Sequence, residues 1–328
     1  MRLPGLGIAS ISTSQDRPEA YLTFTSFNYP ATVFRVDLSA PGAAPKFWAG
    51  PDVQVVPAIA GVAQVWYPSK DGTNISMFLV HKNGLRLTAD TPTLLAGYGA
   101  FGVIMTPTFS ATLFQWIEAG GTFAVPNLRG GGEYGEAWHQ AGMLDKKQTV
   151  FDDFIAAVEW LIANKYTNPQ KLAIYGGSHG GLLTGAAITQ RPELFRAALV
   201  LDPVLDMLRY HKFLRGRSWV AEYGSPDTPE EFRSLLAYSP YQRVRPATKY
   251  PAVLLMSSER ATDVHALHAR KMAAALQAAT ASDPAAQPIL LAVNRGADVG
   301  PEALRALQLR DLVDQRLFVM WQLGMLSR

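Results

Sequence analysis

The 328-residue chain contains no cysteine. That absence excludes disulfides, thiolate metal sites and a cysteine nucleophile, and it says little about redox compartment. Charge is also sparse. Charged residues make up 17% of the chain, 30 basic against 27 acidic, for a formal net charge of +3. So small and scattered an excess gives no ground for nucleic-acid binding. No run approaches the ~18 uninterrupted apolar residues of a membrane-spanning helix. The N-terminal MRLPGLGIAS lacks a basic stretch followed by a long apolar run, so no signal peptide is expected. Histidine is scarce, six in all, and none occurs after His268. No repeat and no low-complexity tract is present. These exclusions leave a cytoplasmic globular protein as the default, without membrane partner, metal or cofactor. Hydrophobic residues, at 48%, suffice for a sizeable core.

The chain changes grammar along its length. Residues 1–62 read as a β-rich piece. Alternating segments at Ala20–Thr25 and Ala31–Asp37, with further strands expected at Lys46–Gly50 and Val53–Val56, are separated by Pro, Gly and Ser clusters. Residues 63–328 read as a second domain. It opens with a hairpin over Gln64–His81, turning at Ser69–Gly72. From Pro92 strands alternate with helices. Strands are expected at Thr93–Ala96, Gly121–Pro126, Leu172–Tyr175, Ala197–Leu201, Ala252–Met256 and Ile289–Val293. Helices are expected at Leu113–Ala119, Val150–Lys165, Gly181–Phe195 and Gln308–Gly324. This alternation predicts an α/β fold with a mostly parallel, doubly wound sheet flanked by helices.

One stretch carries chemistry. KLAIYGGSHGGLLT, Lys171–Thr184, places Gly176-Gly177-Ser178-His179-Gly180 between a strand and a helix. That is the G-x-S-x-G nucleophile elbow in its required context. The turn needs glycines because the serine sits at a strained backbone angle. The His179 N–H, at the helix start, can point at a developing oxyanion. Without the flanking elements the same pentapeptide would read as an ordinary Gly-rich turn.

At these residues the chain resembles the prolyl oligopeptidases, serine peptidases with an α/β-hydrolase catalytic domain. The resemblance runs from about Val65 to the C-terminus. It is carried by WYPSKDGT (66–73), PTLLAGYGAFG (92–102), NLRGGGEYGEAWHQAGM (127–143), VFDDFIAAVEWLI (150–162), YGGSHGG (175–181), LDMLRYHKF (205–213), RSWVAEYGSPDTPEEF (217–232) and YSPYQRV (238–244). It implies Ser178 as nucleophile, with the Tyr98 hydroxyl and the His179 backbone N–H as oxyanion hole. It implies Phe101, Trp219 and Tyr223 as the pocket for a substrate proline, although large aromatics are as readily core. Residues 20–60 resemble the last blade of the family's β-propeller, which limits substrate size. With the rest of that propeller absent from this chain, an open site is expected, as is self-association through the exposed β segment. Arg129, in a Gly-rich RGGGE loop, lacks the G-x-x-x-x-G-K-[ST] pattern of a phosphate loop and reads as a structural ion-pair residue.

The other two triad members are missing from their expected places. In chain order an acid and then a histidine should follow the serine. By the resemblance Ala261 stands at the acid position, within SSERATDVHALH (257–268). Asp263 stands where a substrate-gripping arginine would be, and Val299 stands at the histidine position. A serine hydroxyl needs a base within hydrogen-bond reach, and valine cannot accept a proton. His265, oriented by Asp263 or Glu259, is the candidate substitute. The alternative is that His265 and His268 open a helix, one solvated and one packed. Two readings of function follow. One is a serine hydrolase acting by acyl transfer through Ser178 on small esters, amides or short peptides. The other is an impaired pseudo-hydrolase that binds a peptide or partner in the same pocket.

Overall fold

The computed structural model describes residues 3–40, 42–294 and 301–326. Among the described residues twelve strands form in chain order: β1 (Ile8–Thr13), β2 (Glu19–Ser26), β3 (Tyr29–Asp37), β4 (Lys46–Ala49), β5 (Ala60–Pro68), β6 (Asn74–Lys82), β7 (Thr93–Ala96), β8 (Thr122–Pro126), β9 (Leu172–Gly177), β10 (Ala197–Leu201), β11 (Ala252–Ser258) and β12 (Ile289–Asn294). The helices are α1 (Ala111–Glu118), α2 (Glu136–Gln140), α3 (Gln148–Ala163), α4 (His179–Gln190), α5 (Val220–Tyr223), α6 (Pro229–Tyr238), α7 (Pro240–Arg243), α8 (Leu267–Ala279) and α9 (Pro301–Gln322). No helix among the described residues is long and apolar enough to cross a membrane.

Two compact units arise. The first comprises residues 1–65, 78–86 and 106–123. It contains a four-stranded antiparallel sheet in the order β1-β2-β3-β4. In β2 every second residue is buried, and Ala20 and Leu22 pack with Val36 and Phe34. This is the period-2 signature of a half-buried strand. The Phe27 ring meets Phe78 and Phe123 edge-on, at 5.7 and 5.8 Å.

One expected strand is missing here for a local reason, and one strand not singled out in the sequence is present. No strand forms over Val53–Val56. The Val53 N–H donates to the Pro51 carbonyl and the Val55 N–H to the Val53 carbonyl, so the backbone satisfies itself in tight turns. The adjoining Pro57 has no N–H for a ladder. Conversely β1 was not expected. Five of its six residues are exposed, so it shows no inward-facing alternation.

The second unit comprises residues 66–77, 87–105 and 124–328. The main sheet has the strand order β12-β11-β10-β9-β7-β8-β6-β5, with β5, β6 and β8 each running through both units. The pairs β12–β11, β11–β10, β10–β9 and β9–β7 are all parallel. Strands β9 and β10 are almost wholly buried, as a sheet covered on both faces requires. α3 turns Phe151, Phe154, Val158 and Leu161 inward, and α4 is buried on nearly every side. α9 starts at Pro301 rather than near Gln308. Proline fits the first helical position, and PEALRALQ continues with good helix formers. With this order, side chains just after β9, β10 and β11 converge at the carboxyl edge of the parallel sheet, where α/β proteins place their sites.

Candidate active site

Ser178 leaves the end of β9 with φ 55° and ψ −115°, a conformation that L side chains rarely adopt. Its N–H donates to the Leu201 carbonyl of β10 at 2.9 Å, and its own carbonyl accepts from Gly181 at 3.0 Å as α4 begins. The flanking glycines are steric necessities. A Cβ on Gly176 would lie 2.0 Å from the Gly180 carbonyl oxygen, and one on Gly180 would lie 2.7 Å from the Gly97 oxygen. The turn thus forces strand and helix together and lifts the serine out of the sheet.

Ser178 opens into a cavity of about 480 Å³ whose walls include Tyr98, Phe101, Trp219 and Tyr223. Phe101 is also held at positive φ, 58°, so two strained non-glycine residues border one cavity. The Tyr98 side chain interacts with that of Ser178 across the cavity, and burial raises the Tyr98 pKa. The phenol therefore stays protonated and able to donate. The His179 ring turns into the protein. It is fully buried, Nδ1 contacts the Tyr223 hydroxyl at 2.9 Å, and the two rings stack at 5.6 Å. Burial, with the nearby Lys147 charge, holds the His179 pKa well below its ordinary value. Its side chain is neutral and engaged, whereas its backbone N–H lies in the first turn of α4, where no intrahelical carbonyl is available.

A buried ionic cluster supports this wall. Lys147 Nζ lies 2.6 Å from Glu222 Oε1, and His139 Nε2 lies 2.8 Å from Glu222 Oε2. The ammonium also sits 5.5 Å from the centroid of the Tyr223 ring, and burial lowers the Lys147 pKa to about 8. Sequence reasoning missed both Lys147 and Glu222. Glu222 sits between two expected pocket aromatics, Trp219 and Tyr223, and that adjacency was the available signal.

The substitute-base candidates scatter. Asp263 lines the Ser178 cavity and pairs with Arg215 at 3.2 Å. Glu259 is not among the lining residues and pairs with Arg270. His265 is not among them either. Its Nδ1 accepts the Leu267 N–H at 3.0 Å, capping α8, and its ring lies 5.4 Å from Phe213. No histidine side chain lines this cavity among the described residues. Ala261 lies in the loop after β11, three residues past Ser258, and Val299 lies outside the described residues.

His268 is 2% exposed, and its Nδ1 accepts backbone N–H bonds from Leu205 (3.3 Å) and Asp206 (3.1 Å). Only neutral imidazole can accept there. Burial lowers its pKa from 6.5 to about 4. The unfolded chain therefore binds more protons between those values, and stability should fall as pH drops from 6.5 to 4. The loss expected from this group is about 3 kcal/mol. Urea unfolding across that pH range, compared with His268→Gln, checks it. The variant should show a visibly flatter profile, and an unchanged slope would refute the assignment.

The chain as a whole has counterparts among known proteins. Residues 107–297 match the model of the prolyl oligopeptidase family. A prolyl endopeptidase of Elizabethkingia meningoseptica is 37% identical over 329 residues, covering 100% of this chain and 46% of that protein. A prolyl oligopeptidase of Omphalotus olearius is 41% identical over 276 residues, covering 83% of this chain and 37% of that protein. Among solved structures, a prolyl endopeptidase superposes with a TM-score of 0.89 at 46% identity, over 99% of this chain and 47% of the other. Prolyl oligopeptidase B from Galerina marginata, bound to a 35mer hydrolysis and macrocyclization substrate, gives 0.89 at 36% identity, over 98% and 46%. The chain spans about half the length of these relatives. The strained serine at the strand–helix turn thus stands in a matching sequence and a matching fold, and the chain belongs to the prolyl oligopeptidase family of serine peptidases, with an α/β-hydrolase fold.

Proposed function

We propose that the protein is a serine hydrolase acting by acyl transfer through Ser178. The Tyr98 hydroxyl and the His179 N–H receive the oxyanion. Phe101, Trp219 and Tyr223 offer aromatic faces to a proline ring, and a small ester, amide or short peptide is the substrate. One observation carries the reading: Ser178, strained at φ 55°, borders an aromatic-walled cavity that Tyr98 also lines. Strain at a non-glycine residue is kept where it serves a site. With no histidine side chain among the described residues that line the cavity, attack is slow, and activated esters are favoured over peptides because their leaving groups need no proton. A fluorophosphonate probe should label the protein and leave Ser178→Ala unlabelled. Equal labelling of the two proteins sinks the proposal.

A second reading rests on the occupied side chains. His265 caps a helix, Glu259 pairs with Arg270, and Asp263 pairs with Arg215. On that reading the pocket binds a peptide or partner without turning it over. Ser178-dependent ester hydrolysis by the unmodified protein would rule it out.

The antiparallel order β1-β2-β3-β4 also fits a single propeller blade at residues 1–62, ahead of the hydrolase domain. Ile11, Phe47 and Trp48 are exposed on it and favour self-association. Sedimentation velocity should show a dimer that Phe47→Ser with Trp48→Ser dissociates. A monomer at tens of micromolar would dismiss that expectation.

A further inference from the structure

The Ser178 cavity has aromatic walls and a charged rim. Among its described lining residues the charged ones are Arg215 and Asp263, paired at 3.2 Å. Arg215 comes from the helical turn at Leu214–Trp219 and Asp263 from the loop between β11 and α8, so two separate elements meet across the rim. Both side chains are more than half exposed, 66% and 58%, so water screens the pair and the bond exchanges easily. Tyr98, Phe101 and Trp219 line the cavity with aromatic rings, whose faces attract cations and disfavour anions, whereas the Tyr223 ring already stacks on His179. Carboxylate and walls therefore favour the same ligand charge, and Arg215 already supplies that charge from within the chain.

We infer that Asp263 is a specificity-determining residue that receives an alkylammonium group of the substrate, with Arg215 as the resident cation the substrate displaces. The inference rests on the proposed hydrolase reading of this pocket and adds the charge class of its ligand. Two parts of a peptide could supply the ammonium: a free N-terminus or a lysine side chain. No covalent step is involved. The incoming ammonium exchanges with a guanidinium that swings into solvent.

The test is binding, measured by calorimetry in a Ser178→Ala background so that turnover does not interfere. Three probes separate the sources: Phe-Pro-amide with a free α-ammonium, its N-acetyl form, and N-acetyl-Lys-Pro-amide. At least one cationic probe should bind about tenfold tighter than neutral N-acetyl-Phe-Pro-amide, and the tighter one identifies the source. Asp263→Asn should shrink that preference to within about twofold. Arg215→Gln should widen it, because the internal competitor is gone. Both positions are exposed, so folding should be preserved. Equal binding of cationic and neutral probes overturns this inference alone, as does a preference that survives Asp263→Asn. Failure of all three probes to bind overturns it together with the hydrolase reading of the pocket.

Discussion

Replacing Ala261 with Asp and Val299 with His together should raise Ser178-dependent ester turnover by about 10³-fold. Among the described residues that line the serine's cavity, no imidazole stands ready to take its proton, and the Asp263 carboxylate is paired with Arg215. Tyr98 lines the same cavity but is a phenol whose pKa burial raises, and the His179 ring is turned inward against Tyr223. A base and its orienting acid are the missing half of the machinery. Position 261 lies just past the carboxyl end of β11, close along the chain to Asp263, which already borders the serine's cavity. The two replacements should be strongly non-additive. An acid without an imidazole to orient has nothing to do, so Ala261→Asp alone should leave the rate near the parent's. Val299→His alone should recover part of the gain. Steady-state kinetics on a p-nitrophenyl ester, with Ser178→Ala as the blank, decides it. A double variant no faster than the parent would mean that this serine is not poised for attack.

The largest stability effect is expected far from that chemistry. Asp153→Ala should lower the unfolding free energy by about 3–5 kcal/mol. Asp153 is wholly buried in α3, and its carboxylate accepts from Arg129 Nη2 at 2.6 Å, Arg129 Nε at 3.0 Å, the Arg129 N–H at 3.1 Å and Ser69 Oγ at 2.5 Å. Arg129 is itself only 7% exposed and reaches on to Asp71, with Nη1–Oδ2 at 2.6 Å. Removing the carboxylate strands a buried guanidinium whose remaining acid, Asp71, has a side chain 54% exposed. Deleting one partner of a buried pair costs far more than the pair contributes on balance. Urea denaturation measures the loss directly. Exchanging both partners for apolar residues of similar size, Arg129→Met with Asp153→Leu, should cost clearly less than Asp153→Ala alone. If Asp153→Ala unfolds at the parent's midpoint, the cluster is not holding these segments together.

This cluster shows how far the sequence could be read. The RGGGE loop read as structural because it matched no phosphate-binding pattern, and Arg129 does sit in an ion pair. Its partners could not be named, because Asp71 and Asp153 lie 58 and 24 residues away along the chain. The same limit explains Glu222. A carboxylate between pocket aromatics is visible in a sequence, but its buried cation, Lys147, is 75 residues distant.

Elements with a strong local period were legible. The stretch Thr93–Ala96 matches β7, Ala197–Leu201 matches β10, and the amphipathic helix near Val150–Lys165 is α3, shifted by two residues at each end. Elements without a buried face, such as β1, were not.

By itself, then, the sequence determined the alternation of strands and helices, the elbow at Ser178 and the absence of any histidine beyond His268. Each of these depends on neighbouring residues, whose spacing and backbone preference act locally. Only the tertiary structure decided that Asp263 reaches the serine's cavity while Glu259 and His265 are taken up by Arg270 and the α8 cap, and that the His179 ring faces inward. Those outcomes follow from which remote groups burial brings within hydrogen-bond reach, and a one-dimensional pattern carries no record of that distance.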